Sequence, residues 1–257
     1  MPASLTLSLG TLYAFLLVLA RVGGAVVFVP LPGAASVPQA ARITLALSFT
    51  LALVGRWPVI DAVAVSPARL VVWGAAEATL GIAIGVALSL VLEVFMLAAQ
   101  ILGLQAGYAY ASTIDPNSEA DSGILLVFAQ MAAGLLFFAA GLDREVLRLF
   151  AQSLEKIPPG AYVLGPSSAF GLIHLGASVF SFGLRLAFPV VAVLVMVDVA
   201  LALLGRVNAQ LQLLSLAFPL KMLIALMVLS WVTFLFPRIL REMSGLAWIT
   251  ARRAVGL

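Results

Sequence analysis

From Leu70 to about Ala111 the sequence contains no proline, and Glu77 and Glu93 are its only charged residues. As one helix this run would be ~63 Å long at ~1.5 Å per residue, about twice a ~30 Å hydrocarbon core. Either the chain turns back near Glu93, where no Gly, Pro or Asn signal stands, or the helix projects from the bilayer or breaks at the glycines around Gly103; the second reading is preferred. The composition agrees with a membrane setting. The chain is 63% hydrophobic and 10% charged, whereas soluble domains are ~45–50% apolar. Its 14 basic and 11 acidic residues could not cover a soluble globule of 257 residues. This is an integral membrane protein, and soluble enzyme folds are excluded.

Other segments follow from the ~17–25 apolar residues that a membrane helix needs. Leu5 to Val29 is interrupted only by Arg21 and closes at Pro30 and Pro32. It lacks a basic n-region and is too long for a signal h-region, so it reads as a retained first span. Pro38 to Val54 is a shorter candidate. Ala111 to Gly123 reads as a loop, with turn chemistry at Ser112, Asp115-Pro116-Asn117-Ser118 and Asp121. Gly123 to Leu142 makes the next span, and Asp143 to Lys156 reads as an amphipathic helix outside the hydrocarbon core. Pro158-Pro159-Gly160 and Gly165-Pro166 mark a boundary between portions 1–165 and 166–257. The second portion is a helical hairpin: Ala169 to Leu204 with Pro189 inside, a turn at Gly205-Arg206-Val207-Asn208, then Leu211 to Phe236 with Pro219 inside, followed by a basic tail. The fold class is all-α, built of long, kinked membrane helices. Charge rules, with Arg238, Arg241, Arg252 and Arg253 in the tail, fit six segments with both ends cytoplasmic.

Charges within the apolar segments are costly, at ~2.5–3.5 kcal/mol each on insertion scales, so Arg21, Glu77, Glu93, Arg185, Asp198 and Lys221 should face protein or water. Reflection of the hairpin about a turn near residues 208–209 sets Asp198 opposite position 219, within one turn of Lys221. The two are expected to pair. The pair reads as a proton or ion relay or as an ion pair fixing hairpin register, and a single acid and base at that depth favour the second. Glu77 and Glu93, 16 positions apart, fall on nearly opposite faces of a straight helix with ~3.6 residues per turn and cannot form an acid/base dyad. Gly81-xxx-Gly85 and Gly103-xxx-Gly107 permit close helix approach.

The stretch from Gly103 to Ser118 mixes small residues at Gly103, Ala106, Gly107, Ala109 and Ala111 with Gln105, Tyr108 and Tyr110 before the Asp115-Pro116 turn. That mixture suits a segment packed among close neighbours or lining a cavity rather than a lipid-facing helix. Nothing supports catalysis. The chain has no cysteine and a single histidine, His174, and no phosphate loop, nucleophile elbow or HExxH motif stands in it. Catalytic, cofactor-binding and metal-ligating residues are therefore not assigned. The 14 basic residues are scattered rather than clustered, which argues against nucleic acid.

Leu19-Ala20-Arg21-Val22-Gly23-Gly24 followed by Pro30 and Val37-Pro38 to Arg42, Gly103-Leu104-Gln105-Ala106-Gly107 running into Asp115-Pro116, and Gly205-Arg206 with Gln210 before Phe218-Pro219-Leu220-Lys221 together resemble the flagellar biosynthesis protein FliR family and its injectisome counterparts. The likeness covers nearly the whole chain and leans flagellar. It implies an all-helical export-gate subunit, one copy per gate, assembled with FliP-like and FliQ-like subunits and meeting FlhB and FlhA. The gate stands in the bacterial inner membrane at the flagellar basal body and passes unfolded export substrates. The first portion would be FliP-like and the second FliQ-like. Residues 105–122 would form a plug, with Gly103, Gln105, Gly107, Tyr108, Tyr110, Asp115 and Pro116 at the channel. The turn at Arg206 and Gln210 would lie near the cytoplasmic gate entrance, contrary to the charge-derived topology. The sequence departs from the family pattern at Ala209, where proline is expected, and at Ala99-Gln100, where Gly-Glu is common. The rival reading is a small-molecule or ion secondary transporter using Asp198 and Lys221, against which the lack of inverted repeats counts. An intramembrane enzyme would need a paired nucleophile and base that the sequence does not offer.

Overall fold

The computed structural model describes residues 8–28, 38–61, 65–108, 123–207 and 213–256, and among these the regular structure is helical. Helix α1 spans Leu9–Val26. Its Ser8 cap accepts a hydrogen bond from the Thr11 amide at 3.2 Å, which satisfies one of the free donors of the first turn. Ala14, Leu17, Val18, Arg21, Val22 and Ala25 are buried, a spacing of three and four that forms one helix face. Helix α2, Gln39–Ala52, packs against α1. With 14 residues it is about 21 Å long, too short for the hydrocarbon core.

The long apolar run is one continuous helix, α3, Pro67–Ala106, of 40 residues. It does not turn back near Glu93. It ends at the glycines, where Gly107 takes φ +85°, the Tyr108 amide donates to the Gly103 carbonyl at 3.0 Å and the Gly107 amide to Leu104 at 3.3 Å. This pair of bonds is a Schellman ending, which needs a left-handed residue just past the helix and so favours glycine. Towards its middle, from Ala78 to Gly85, α3 crosses α1 at a distance only small residues permit. A Cβ on Gly85 would lie 2.6 Å from the Ala25 carbonyl oxygen, one on Gly24 would lie 2.6 Å from that of Ala78, and one on Gly81 would meet that of Arg21.

Helices α4, Gly123–Ala139, and α5, Leu142–Lys156, are bent from each other by 64° at a break containing Gly141. Helix α5 buries Val146, Leu149, Phe150 and Ser153 along one face, and carries Asp143 and Glu145 in its first turn and Lys156 in its last, the order that complements the helix dipole. Helix α6, Pro166–Val207, has 42 residues with Pro189 inside, and α7, Leu213–Val232, has 20 with Pro219 inside. A 3-10 turn at Thr233–Leu235 leads into α8, Phe236–Ala254. The basic tail is therefore a further amphipathic helix. It buries Phe236, Leu240, Met243, Ala247 and Ala251 and exposes Arg238, Arg241, Arg252 and Arg253.

Where charge rules anticipate six membrane segments, the described residues hold four helical stretches long and apolar enough to cross a bilayer, Leu9–Val26, Pro67–Ala106, Pro166–Arg206 and Ala217–Ala254, or five if the bent pair α4–α5 counts as one more. The shortness of α2 and the bend after α4 account for the difference. These stretches are used differently. In its most apolar window α3 is 61% buried, whereas α6 is 22% buried; α3 packs against protein, and α6 leaves Phe170, Ile173, Phe180, Phe188 and Met196 open to lipid or another chain.

Two compact units divide the chain. One comprises residues 1–90, 137–175 and 245–257, the other residues 91–136 and 176–244.

Candidate functional site

In the second unit the end of α3 meets the terminal hairpin. Gly103, Ala106 and Gly107 are buried, and Gln105 and Tyr108 are half-buried. Lys221 on α7 donates to Asp198 on α6, with Nζ 3.1 Å from Oδ2 and 2.9 Å from Oδ1. Lys221 is mostly buried and Asp198 partly open. A third residue joins them: Gln105 Nε2 donates to Asp198 Oδ2 at 3.1 Å. Three helices thus share one carboxylate, in a setting where a charge-assisted hydrogen bond is about twice as strong as a neutral one. Beside it, Phe218 presses on the end of α3; a Cβ added to Gly107 would be 2.8 Å from Phe218 Cδ1. Position 107 therefore requires glycine for both its backbone angle and its neighbour.

Other residues of interest are not gathered here. Arg206 is exposed in the last turn of α6, where a cation complements the helix dipole. Tyr110, Asp115, Pro116 and Gln210 lie outside the described residues. Glu93 and Gln100 are exposed. Arg185, also exposed, reaches Glu242 at 3.5 Å, and Glu242 in turn accepts from Arg238 at 3.0 Å.

In the first unit a second polar cluster is fully enclosed. Arg21 and Glu77 are each 1% exposed and form an ion pair through Arg21 Nε and Glu77 Oε2. Arg21 Nη1 donates to Ser153 Oγ at 3.0 Å and Nη2 to the Ile157 carbonyl at 3.2 Å. Ser153 Oγ donates to the Phe150 carbonyl at 2.8 Å, and the Gly160 amide donates to Glu77 Oε1 at 3.1 Å. Both carboxylate oxygens and all three guanidinium nitrogens are thereby used, the condition under which a buried pair is tolerated. The cluster ties α1, α3 and α5 to the turn after α5. Ser153 is fully buried, and its hydroxyl is taken up within the cluster as acceptor from Arg21 and donor to Phe150. Sequence reading marks Arg21 and Glu77 as costly charges but does not pair them. The sequence signal is only that Glu77 precedes Gly81 by one turn; that Gly81 abuts Arg21 is shown by the structure. Outside the spans, burial raises the Tyr162 hydroxyl above its usual pKa of 10.0.

An all-α chain with several bilayer-length helices, polar groups gathered at helix junctions and much apolar surface left open is an integral membrane protein. The chain belongs to the bacterial export proteins, family 1, whose profile it matches over residues 12–246. Among its relatives, the flagellar biosynthetic protein FliR of Escherichia coli K12 is 29% identical over 78% of this chain and 77% of its own length. The FliR protein of Caulobacter vibrioides is 28% identical over 85% and 87% of the two chains. That of Bacillus subtilis is 26% identical over 95% of each. Family membership leaves the transporter reading of Asp198 and Lys221 without support.

Proposed function

We propose that this protein is a core subunit of the flagellar type III export gate and helps to form and plug the channel through which unfolded flagellar proteins cross the bacterial inner membrane. The observation that carries the reading is similarity to FliR proteins along nearly the whole chain, together with an α3 that ends abruptly in small residues. Residues 1–165 form the FliP-like portion and 166–257 the FliQ-like hairpin and the basic tail. The partners are FliP-like and FliQ-like subunits, in one assembly with a single copy of this chain, and FlhB and FlhA at the basal body. The turn containing Arg206 and Gln210 faces FlhB at the cytoplasmic entrance.

Gating in this reading is passive. Gly103, Ala106 and Gly107 allow the chain to pack closely where α3 ends, Tyr108 and Tyr110 supply bulk, and Asp115-Pro116 turns the loop. The chain does no chemistry of its own, and displacement of the plug is driven elsewhere. Deletion of Tyr108 to Asn117 is expected to raise ion leakage through the assembled gate, measured as membrane conductance in cells expressing the full complex. A deletion complex as tight as the unaltered one would remove the plug assignment.

A further inference from the structure

We infer that Gln105, Asp198 and Lys221 form a latch that holds the root of the plug segment to the terminal hairpin, with Gln105 as its positioning residue. The inference rests on the plug reading above and adds to it the contact that keeps the segment docked.

The geometry carries the argument. Asp198 Oδ2 accepts from Gln105 Nε2 and from Lys221 Nζ, both at 3.1 Å. Gln105 stands two residues before Gly107, where α3 ends with φ +85°, so it is the last side chain of the helix able to anchor the segment that departs there. On α7, Phe218 and Lys221 are three positions apart and therefore share a face. Phe218 touches Gly107 while Lys221 orients the carboxylate that Gln105 grips. The helix end is held at two points by one face of α7, one polar and one apolar.

The residue types fit the task. An amide donates to Asp198 without altering the one-to-one balance between its carboxylate and the Lys221 ammonium. A glutamate at position 105 would set two carboxylates against one ammonium, and a leucine would withdraw a donor from the partly open Asp198 carboxylate, both unfavourable. If Asp198 and Lys221 served hairpin register alone, the side chain at position 105 would not affect docking.

The test uses the full gate complex with this chain carrying one introduced cysteine at Ser112, a clean label because the chain has no cysteine. Rates of labelling by a membrane-impermeant maleimide and ion leakage are measured together, with co-purification of FliP and FliQ as the check on assembly. Gln105→Glu is expected to raise labelling and leakage about tenfold, since a hydrogen bond to a charged group is lost and a repulsion added. The swap Gln105→Glu with Asp198→Asn keeps one carboxylate and one amide beside Lys221 and is expected to return both readouts to the starting level. Gln105→Leu replaces Gln105→Glu if that variant does not assemble. Unchanged labelling in an assembled Gln105→Glu or Gln105→Leu complex overturns the latch, as does a swap that fails to restore it. If instead deletion of Tyr108 to Asn117 causes no leak, the plug reading fails, and the labelling rates alone decide whether Gln105 anchors the segment.

Discussion

Arg21 joins separate parts of the first unit. Its guanidinium binds a carboxylate, a hydroxyl and a carbonyl from three places in the sequence. Removing one partner of a fully enclosed pair leaves the other unpaired, at a cost of about 3–5 kcal/mol. Arg21→Met and Glu77→Gln are each expected to lower the thermal unfolding midpoint of the detergent-solubilised protein strongly. Arg21→Lys is expected to recover little, because an ammonium cannot reproduce the planar fork. Tyr162 gives a gentler effect with a defined direction. Burial raises its hydroxyl above 10.0, so the folded protein holds that proton more tightly than the unfolded chain does. The stabilisation is complete below the unfolded value and is lost as pH rises through the raised folded value. Above about pH 10, Tyr162→Phe should therefore lose less stability than the unaltered protein in alkaline unfolding followed by circular dichroism. At this scale the hairpin pair was within reach of sequence arithmetic, because a turn fixes the register of the two helices it joins. Gln105, 93 positions from Asp198, and Ser153, 132 from Arg21, were not, because nothing local in the sequence records which distant helix ends meet.

Among the elements, the α1–α3 crossing is the most demanding. Backbone lies where a Cβ on Gly81 or Gly85 would go, and backbone yields less readily than a side chain. Gly85→Val is expected to push the helices apart and destabilise the protein by about 1–3 kcal/mol or more, read as a lowered unfolding midpoint. Gly74, with open space around it, should accept alanine with no loss and serves as the control. Gly81-xxx-Gly85 is visible in the sequence; that its partner is the segment around Arg21 and Ala25 is not, since glycine spacing identifies an approachable face and not what approaches it. The continuity of α3 is a related case. Length alone left open a turn near Glu93, but no helix-breaking residue stands there, and the first strong stop signal is the glycine pair that ends the helix.

For the molecule as a whole, the exposed apolar side chains of α6 and α7, among them Phe180, Phe188, Met196 and Trp231, are surface for lipid or for other subunits to cover. Co-expression with FliP and FliQ is expected to yield a stable complex containing one copy of this chain, measured by native mass spectrometry; a chain recovered folded and alone from such cells would contradict the proposed assembly. The sequence by itself determined the membrane class and most of the helical elements, though not the helix formed by the basic tail, because hydrophobicity, helix length and the stop signals of glycine and proline act over a few neighbouring residues. Beyond the Asp198–Lys221 pair within the hairpin, only the tertiary structure decided which polar groups share a partner and which helices touch. A buried charge forbids solitude wherever the chain puts it, but the group that satisfies it is chosen by three-dimensional packing, which brought Glu77 and Ser153 to Arg21 and Gln105 to Asp198.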